Sequence, residues 1–143
     1  MCNSLYIGLP KKQISRLQRV QNMAARLITR RKRSDSISQI LTSLHWLPVS
    51  KRIIFKVLLI TFKTLHYSSP RYLYQMLKFY NPVRNLRSMT QLQLSVPRTR
   101  TSWGDRAYTN IAPKMWNDIP LHIRQSPSVE VFKRKLKHYL FSL

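Results

Sequence analysis

The segment HWLPVSKRIIFKVLLITFKTLH, residues 45–66, is the most apolar stretch of the chain. After Pro48 it continues for the length of a helix without glycine or proline. Most positions are apolar, and three cations lie within about 40° of one another on a helical wheel: Arg52, Lys56 and Lys63. The pattern predicts a helix at about 50–66 that is buried on most sides and touches water along one cationic stripe. Charged residues interrupt it too often for a membrane span.

Other segments with helical periodicity are expected to cover this central helix. They are residues 10–31, 35–44, 69–79 and 128–143, with a short helix around Pro113–Asp118 that ends before Pro120. The last long segment is clearly amphipathic, with Glu130 in its first turn, where a negative charge is favourable. The predicted fold class is therefore mainly α: a small helical bundle around a central buried helix, with a C-terminal amphipathic helix.

Residues 10–31 carry an apolar face and a cationic face side by side. The apolar residues are Ile14, Leu17, Val20, Ala24, Leu27 and Ile28. The cations of the adjoining face are Lys12, Arg16, Arg19, Arg26 and Arg30, and the run RRKR at 30–33 follows. Cations suit the negative C-terminal end of a helix. Phosphate contact and a solvated basic surface are the two interpretations of this face.

Residues 81–102 differ in character, since apolar residues alternate at Leu92, Leu94 and Val96. We expect a loop with one or two short extended segments. Its arginines come without a helix to bury them, which makes the segment a candidate nucleic-acid loop: Arg84, Arg87, Arg98 and Arg100. An ordinary surface loop is the alternative.

Two further local predictions concern the flanks of this loop. In 69–79, Pro70 suits the first position of a helix, and four side chains are expected to face the core: Leu73, Met76, Leu77 and Tyr80. In 103–125, Asp105 is expected to form an ion pair with Arg106 beside a packed Trp103 indole.

The charge balance points to a polyanionic partner. The chain of 143 residues has 26 lysines and arginines against four acidic residues, a net charge of +22. Self-repulsion at this level opposes compaction. Nucleic acid is the leading candidate to offset it, and an acidic partner surface is the alternative. The basic residues are spread over several segments, so a membrane partner is not expected.

The single cysteine, Cys2, excludes an internal disulfide and a cysteine-based zinc site. No secretory signal is evident, so we expect an intracellular protein. The basic run RRKR leaves a nuclear location as an alternative.

The small number of acidic residues also limits the kinds of catalysis that this chain can support. The four acidic residues are isolated from one another in sequence: Asp35, Asp105, Asp118 and Glu130. Two-metal polymerase or nuclease chemistry needs clustered carboxylates. We therefore expect no catalytic residues, no metal, no cofactor and no small-molecule ligand, and interpret the chain as a binding protein.

Several motifs in order resemble one known family. They are LQRVQNMAARLIT at 17–29, LHWLPVSKRIIFKVLLITFKTLH at 44–66, VPRTRTSWGDRAYTNIAPKMWNDIP at 96–120 and FKRKLKHYLF at 132–141, with CNSLYIGLP at 2–10 before them. The chain is similar to the C-terminal region of the reverse transcriptase (RNA-directed DNA polymerase) of non-LTR retrotransposons, the jockey-like long interspersed elements.

The resemblance implies a thumb or post-palm position, after the domain that carries the catalytic aspartates. Thumbs commonly hold the template–primer duplex by its backbone. The family's paired-aspartate motif is absent from this chain, so polymerase activity does not carry over. The implied partners are RNA or DNA and the missing polymerase domains, and the implied origin is a truncated copy of such an element. The alternative to nucleic-acid binding is a non-catalytic interaction module, or an inactive relic, that docks on those polymerase domains.

Four segments organise the chain in this interpretation: a truncated lead-in at 1–9, a helical core at 10–80, the basic loop at 81–102, and a tryptophan-rich turn region with the C-terminal helix at 103–143. Together they form one domain fragment. The predicted nucleic-acid-binding residues are Arg16, Arg19, Arg26, Arg30, Arg31, Lys32, Arg33, Arg98 and Arg100.

Overall fold

A computed structural model describes residues 6–82 and 91–143 of the chain. Within them the chain forms eight helices: α1 (Lys11–Thr29), α2 (Ile37–Ser43), α3 (Val49–Tyr67), α4 (Arg71–Met76), α5 (Ser102–Arg106), α6 (Tyr108–Asp118), α7 (Leu121–Arg124) and α8 (Val129–Ser142). One antiparallel bridge joins Phe79 and Leu94. The mainly α prediction is confirmed. None of these helices is long and apolar enough to cross a membrane.

The described residues divide into two compact units. The first comprises the chain up to Phe55 together with Lys137–Leu143, and the second comprises Lys56–Leu136. The boundaries fall inside α3 and inside α8, so each of these helices contributes residues to both units.

A small apolar cluster joins α1 and α2 in the first unit. Ala25, Ile40 and Leu41 are buried at its centre, and three half-buried residues pack against them: Ile37, Leu44 and Trp46. This is the buried side that the periodicity of 35–44 indicates. The side chain of Gln21, also buried, donates from Nε2 to the carbonyl oxygen of Leu47 at 2.9 Å.

The expected apolar face of α1 is not the face that packs. Its buried residues are Gln21 and Ala25, while four apolar side chains are 60–81% exposed: Val20, Met23, Leu27 and Ile28. The reason is tertiary. Gln18 Oε1 accepts from the Val49 amide at 2.8 Å, so the glutamine side of α1 meets the entry to α3 and the apolar side is turned toward water.

The central helix α3 forms as the sequence predicts, over Val49–Tyr67. Leu58 is fully buried, whereas Lys56 and Lys63 of the cationic stripe are exposed. In the second unit, Phe62 of α3 stacks on Phe132 of α8 with 4.1 Å between ring centroids. Trp116 of α6 lies 6.1 Å from the Phe132 ring. The three rings form the centre of this unit.

The predicted helix at 69–79 is shorter in the structure and contributes less to the core. α4 ends at Met76. Leu77 is buried, but Met76 and Tyr80 are 48% and 42% exposed, contrary to prediction. The chain leaves the helix because it pairs with the next segment: the Tyr80 amide donates to the Gln93 carbonyl at 2.9 Å.

Helix α6 begins at Tyr108, five residues before the Pro113 start that the sequence favoured. A proline removes one amide donor from a helix, and a tertiary anchor holds the extra turn here. The buried Asn110 donates from Nδ2 to Thr99 Oγ1 at 2.9 Å and to Asp105 Oδ1 at 3.0 Å.

The predicted Asp105–Arg106 ion pair is wrong. Asp105 instead pairs with Lys114 at 3.4 Å, because the start of α6 brings Lys114 to it. Arg106 lies over the Trp103 ring, 5.4 Å from its centroid. That indole is 78% exposed, so it is not packed as expected.

Candidate nucleic-acid interface

Arginines converge around one open groove at the C-terminal end of α1. The groove has a volume of about 840 Å³. Its lining consists of five arginines with one amide and two apolar side chains: Arg19, Arg26, Arg30, Arg31 and Arg33, with Asn22, Met23 and Leu27. Residues from 19 to 33 reach a common space because the chain reverses after Thr29 and brings RRKR alongside the last turns of α1.

Arg26 holds this reversal in place. It is half-buried, and its Nη2 donates to the Asp35 carbonyl at 3.0 Å and to the Arg33 carbonyl at 3.3 Å. The Lys32 amide donates to Asp35 Oδ2 at 3.2 Å. One of the predicted phosphate ligands therefore orders the turn that presents the others.

The end of α1 is closed by an arginine in a left-handed conformation. Arg30 has φ 52° and ψ 32°, and the Arg31 amide donates back to the Arg26 carbonyl at 3.2 Å. Glycine is the usual residue at such a cap, since a side chain there costs about 1–2 kcal/mol. Arg30 nevertheless occupies this position, where its side chain contributes a cation to the lining of the groove.

The other predicted site residues are distributed over both units. Arg16 on α1 and Lys32 in the turn are exposed in the first unit. Arg98 and Arg100 are exposed in the second, between the bridge and α5. The candidate loop residues Arg84 and Arg87 lie outside the described residues.

Within the part of the chain that the structure describes, the groove arginines form no ion pair. In residues 6–82 and 91–143, ion pairs join only Lys114 to Asp105 and Lys133 to Glu130. All four acidic residues lie in these ranges. The hydrogen bond from Thr99, with a smaller contribution from Lys114, lowers the pKa of Asp105. Asp105 and Glu130 are thus paired with lysines outside the groove, and Asp118 is exposed. Asp35 lies in the turn beside the groove, where its carboxylate accepts the Lys32 amide.

Sequence reasoning missed two features near functional surfaces. The first is the pair Met23 and Leu27, which line the arginine groove although the pattern predicted that α1 would bury its apolar side. The second is Arg124 of α7, which is only 7% exposed. No sequence signal separates Arg124 from the many surface arginines, because its burial involves residues distant in sequence, such as Phe62 and Trp116 of the same pocket lining.

No group of three or more histidine, cysteine, aspartate or glutamate side chains placed to hold a metal ion occurs in the part of the chain that the structure describes. Comparisons with protein-family models, with curated proteins and with solved structures found no match to this chain.

Proposed function

We propose that this chain is a non-catalytic nucleic-acid-binding segment, of the kind that follows the palm in the reverse transcriptases of non-LTR retrotransposons. It would hold phosphates without distinguishing base sequence. The observation that carries the proposal is the arginine groove: five arginines line one space, and none is paired with a carboxylate among the described residues.

The physical argument rests on guanidinium chemistry and on charge. A guanidinium is always protonated and presents a planar fork of N–H donors that matches phosphate oxygens. Each phosphate that it neutralises releases condensed counterions, so binding is driven electrostatically and weakens as salt rises. The net charge of +22 adds a long-range electrostatic attraction for the polyanion. Contacts of this type need no base edge and therefore specify no sequence.

A salt titration with duplex RNA, duplex DNA and their single strands tests the proposal. With about 6–10 phosphate contacts, affinity is expected to fall about 10³–10⁵-fold between about 50 and 200 mM salt. Duplexes of unrelated sequence should bind equally. A flat salt response, or no binding at low salt, would contradict the proposal.

A charge-matched pair of variants localises the contact. Arg19→Gln/Arg30→Gln/Arg31→Gln removes three groove cations, and Arg71→Gln/Lys78→Gln/Arg134→Gln removes three exposed cations of the second unit. The groove variant is expected to lower the slope of log K against log salt by about 2–3. The control should change it much less. Equal losses would mean that net charge, rather than the groove, carries binding.

A second candidate function is protein docking through the exposed apolar side of α1. Val20, Met23 and Leu27 are 65–81% exposed beside unpaired arginines. An amphipathic helix that carries carboxylates at the edge of its apolar face fits both features. The polymerase domains absent from this chain would supply it.

This alternative has a separate readout. An acidic amphipathic peptide should bind the wild type. Val20→Ser/Ile28→Ser changes two exposed apolar residues that do not line the arginine groove, and it should weaken peptide binding about tenfold or more while the salt response of duplex binding is unchanged. A peptide of the same composition in scrambled order is the control. Equal binding of both peptides would reject a specific docking face.

A further inference from the structure

A pocket of about 450 Å³ opens in the second unit beside its aromatic centre. Its lining residues include Phe62, His66, Phe79 and Trp116, together with Arg124. The volume falls within the range of small-ligand sites, about 300–1,000 Å³. Aromatic walls with one convergent cation are typical of a binding pocket and differ from the arginine-rich lining of the α1 groove.

Arg124 is the unusual member of this lining. Its Nε and Nη1 atoms are buried and have no hydrogen-bond partner among the described residues. No carboxylate lies within 4.0 Å of it, although all four acidic residues are in the described ranges. Burial lowers the pKa of the guanidinium. A buried cation without a counter-charge is unfavourable, so an anion that reached this residue would be stabilised.

The rings around Arg124 are held in fixed positions by their own contacts. His66 stacks on Phe62 at 5.5 Å with 15° between the planes. Trp116 donates from Nε1 to the Leu92 carbonyl at 2.8 Å, and the bridge to Leu94 holds the backbone of Phe79. His66 is exposed and Phe79 is 50% exposed. The lining therefore combines two exposed aromatic residues with one buried cation.

We propose that this pocket binds a nucleotide, with the base against the rings of Phe79 and His66 and the phosphate at Arg124. The proposal deepens the nucleic-acid-binding function and rests on it. A nucleotide supplies both the planar group and the anion, whereas an aspartate or glutamate side chain supplies only the anion.

Stacking geometry limits the kind of nucleotide that enters. A base inside a duplex is stacked on both sides and paired, and taking it out costs free energy. An unpaired base at a strand end or in a single strand is already free to stack on aromatic side chains. A duplex with a single-stranded overhang should therefore bind to the pocket more tightly than a blunt duplex. The α1 groove should bind both duplexes with equal affinity.

The direct test uses adenosine monophosphate and adenosine as probes, with binding measured by calorimetry. The wild type is expected to bind the monophosphate about tenfold more tightly than the nucleoside, because one charge-assisted contact is worth that factor. Arg124→Met keeps an unbranched side chain in the space and removes the cation. It should bind both probes equally, and Arg124→Lys should restore part of the difference.

Phe79→Leu provides a second variant on an exposed ring, so its fold is expected to remain intact. It should weaken both probes to a similar extent, since it alters the stacking wall and leaves the phosphate contact. Thermal melts of each variant, followed by circular dichroism, establish that it is folded. If the wild type binds neither probe, or if Arg124→Met keeps the tenfold preference, the pocket assignment is wrong.

The failures of the two proposals are distinguishable. The groove variant Arg19→Gln/Arg30→Gln/Arg31→Gln should lose duplex affinity and keep the monophosphate. Salt-dependent duplex binding without any advantage of an overhang would overturn the pocket and leave the groove. Tighter binding of a glutamate-rich peptide than of the monophosphate, lost in Arg124→Met, would make the occupant an acidic peptide and overturn the nucleotide.

Discussion

Helices α1 and α8 look alike in sequence and differ in the structure. Both alternate apolar and cationic residues with a helical period. In α8 the apolar face is buried, with Phe132 and Leu136 at 0% exposure and Leu140 at 1%. In α1 the corresponding face is open to water, with Leu27 at 81%. An amphipathic pattern therefore shows that a helix has two faces, and it does not show which one the rest of the chain will cover.

The difference follows from what each helix meets. α8 offers Phe132 to the rings of Phe62 and Trp116, where aromatic contact adds to burial. α1 meets the start of α3 through two glutamines, which satisfy the Leu47 carbonyl and the Val49 amide. These two hydrogen bonds fix the rotation of α1 and leave its leucine and valine side exposed to water.

The largest expected effect compares the two apolar faces directly. Phe132→Ala should lower the free energy of unfolding by about 3–5 kcal/mol, because it leaves a cavity in a fully buried ring cluster. Leu27→Ala should change it by less than about 0.5 kcal/mol, because that side chain is already in water. Urea unfolding of both variants measures the contrast. A comparable loss in Leu27→Ala would show that α1 buries its apolar face in solution.

A smaller effect tests which side of α1 is packed. Ala25 is fully buried, and its neighbour Ala24 is half-buried. Ala25→Leu should destabilise by about 1–3 kcal/mol, since the added atoms have no space beside Ile40 and Leu41. Ala24→Leu should change stability by less than about 0.5 kcal/mol. Thermal melts of the two variants give the answer, and the reverse order would mean that α1 is rotated.

The smallest effect separates stability from binding at the cap of α1. Arg30→Gly should stabilise by about 1 kcal/mol, because glycine adopts φ 52° without strain. Under the proposed function it should also lower the salt slope of duplex binding by about 0.9. Arg31→Gly is the matched control, since Arg31 is not in the left-handed region and should not gain stability. A gain of stability in both variants would contradict the interpretation that the left-handed conformation of Arg30 is strained.

Much of the fold followed from periodicity, and the misses have physical causes. The long apolar run of α3 and the buried side of α2 could be predicted, since burial on one side imposes a 3.6-residue period. The early start of α6 could not, because it depends on Asn110 reaching Thr99 and Asp105. The end of α4 at Met76 likewise depends on the pairing of Tyr80 with Gln93.

In the candidate site, too, some features could be predicted from the sequence and others could not. The exposure of Arg98, Arg100 and the RRKR run agrees with their placement in polar, charged sequence. The sequence did not predict that Arg26 would donate hydrogen bonds to the carbonyl groups of residues 33 and 35. These groups come close to α1 only because the chain turns back after the helix. The buried Arg124 required knowledge of which residues surround α7.

By itself the sequence determined the helical class, the central helix and the excess of cations, because these depend on local periodicity and on composition. The tertiary structure alone decided which face of α1 is covered, where the arginines converge, and that Arg124 is buried beside a pocket with aromatic residues in its lining. Those outcomes depend on contacts between residues that are distant in sequence, and the helical period of one segment carries no information about the partner it meets.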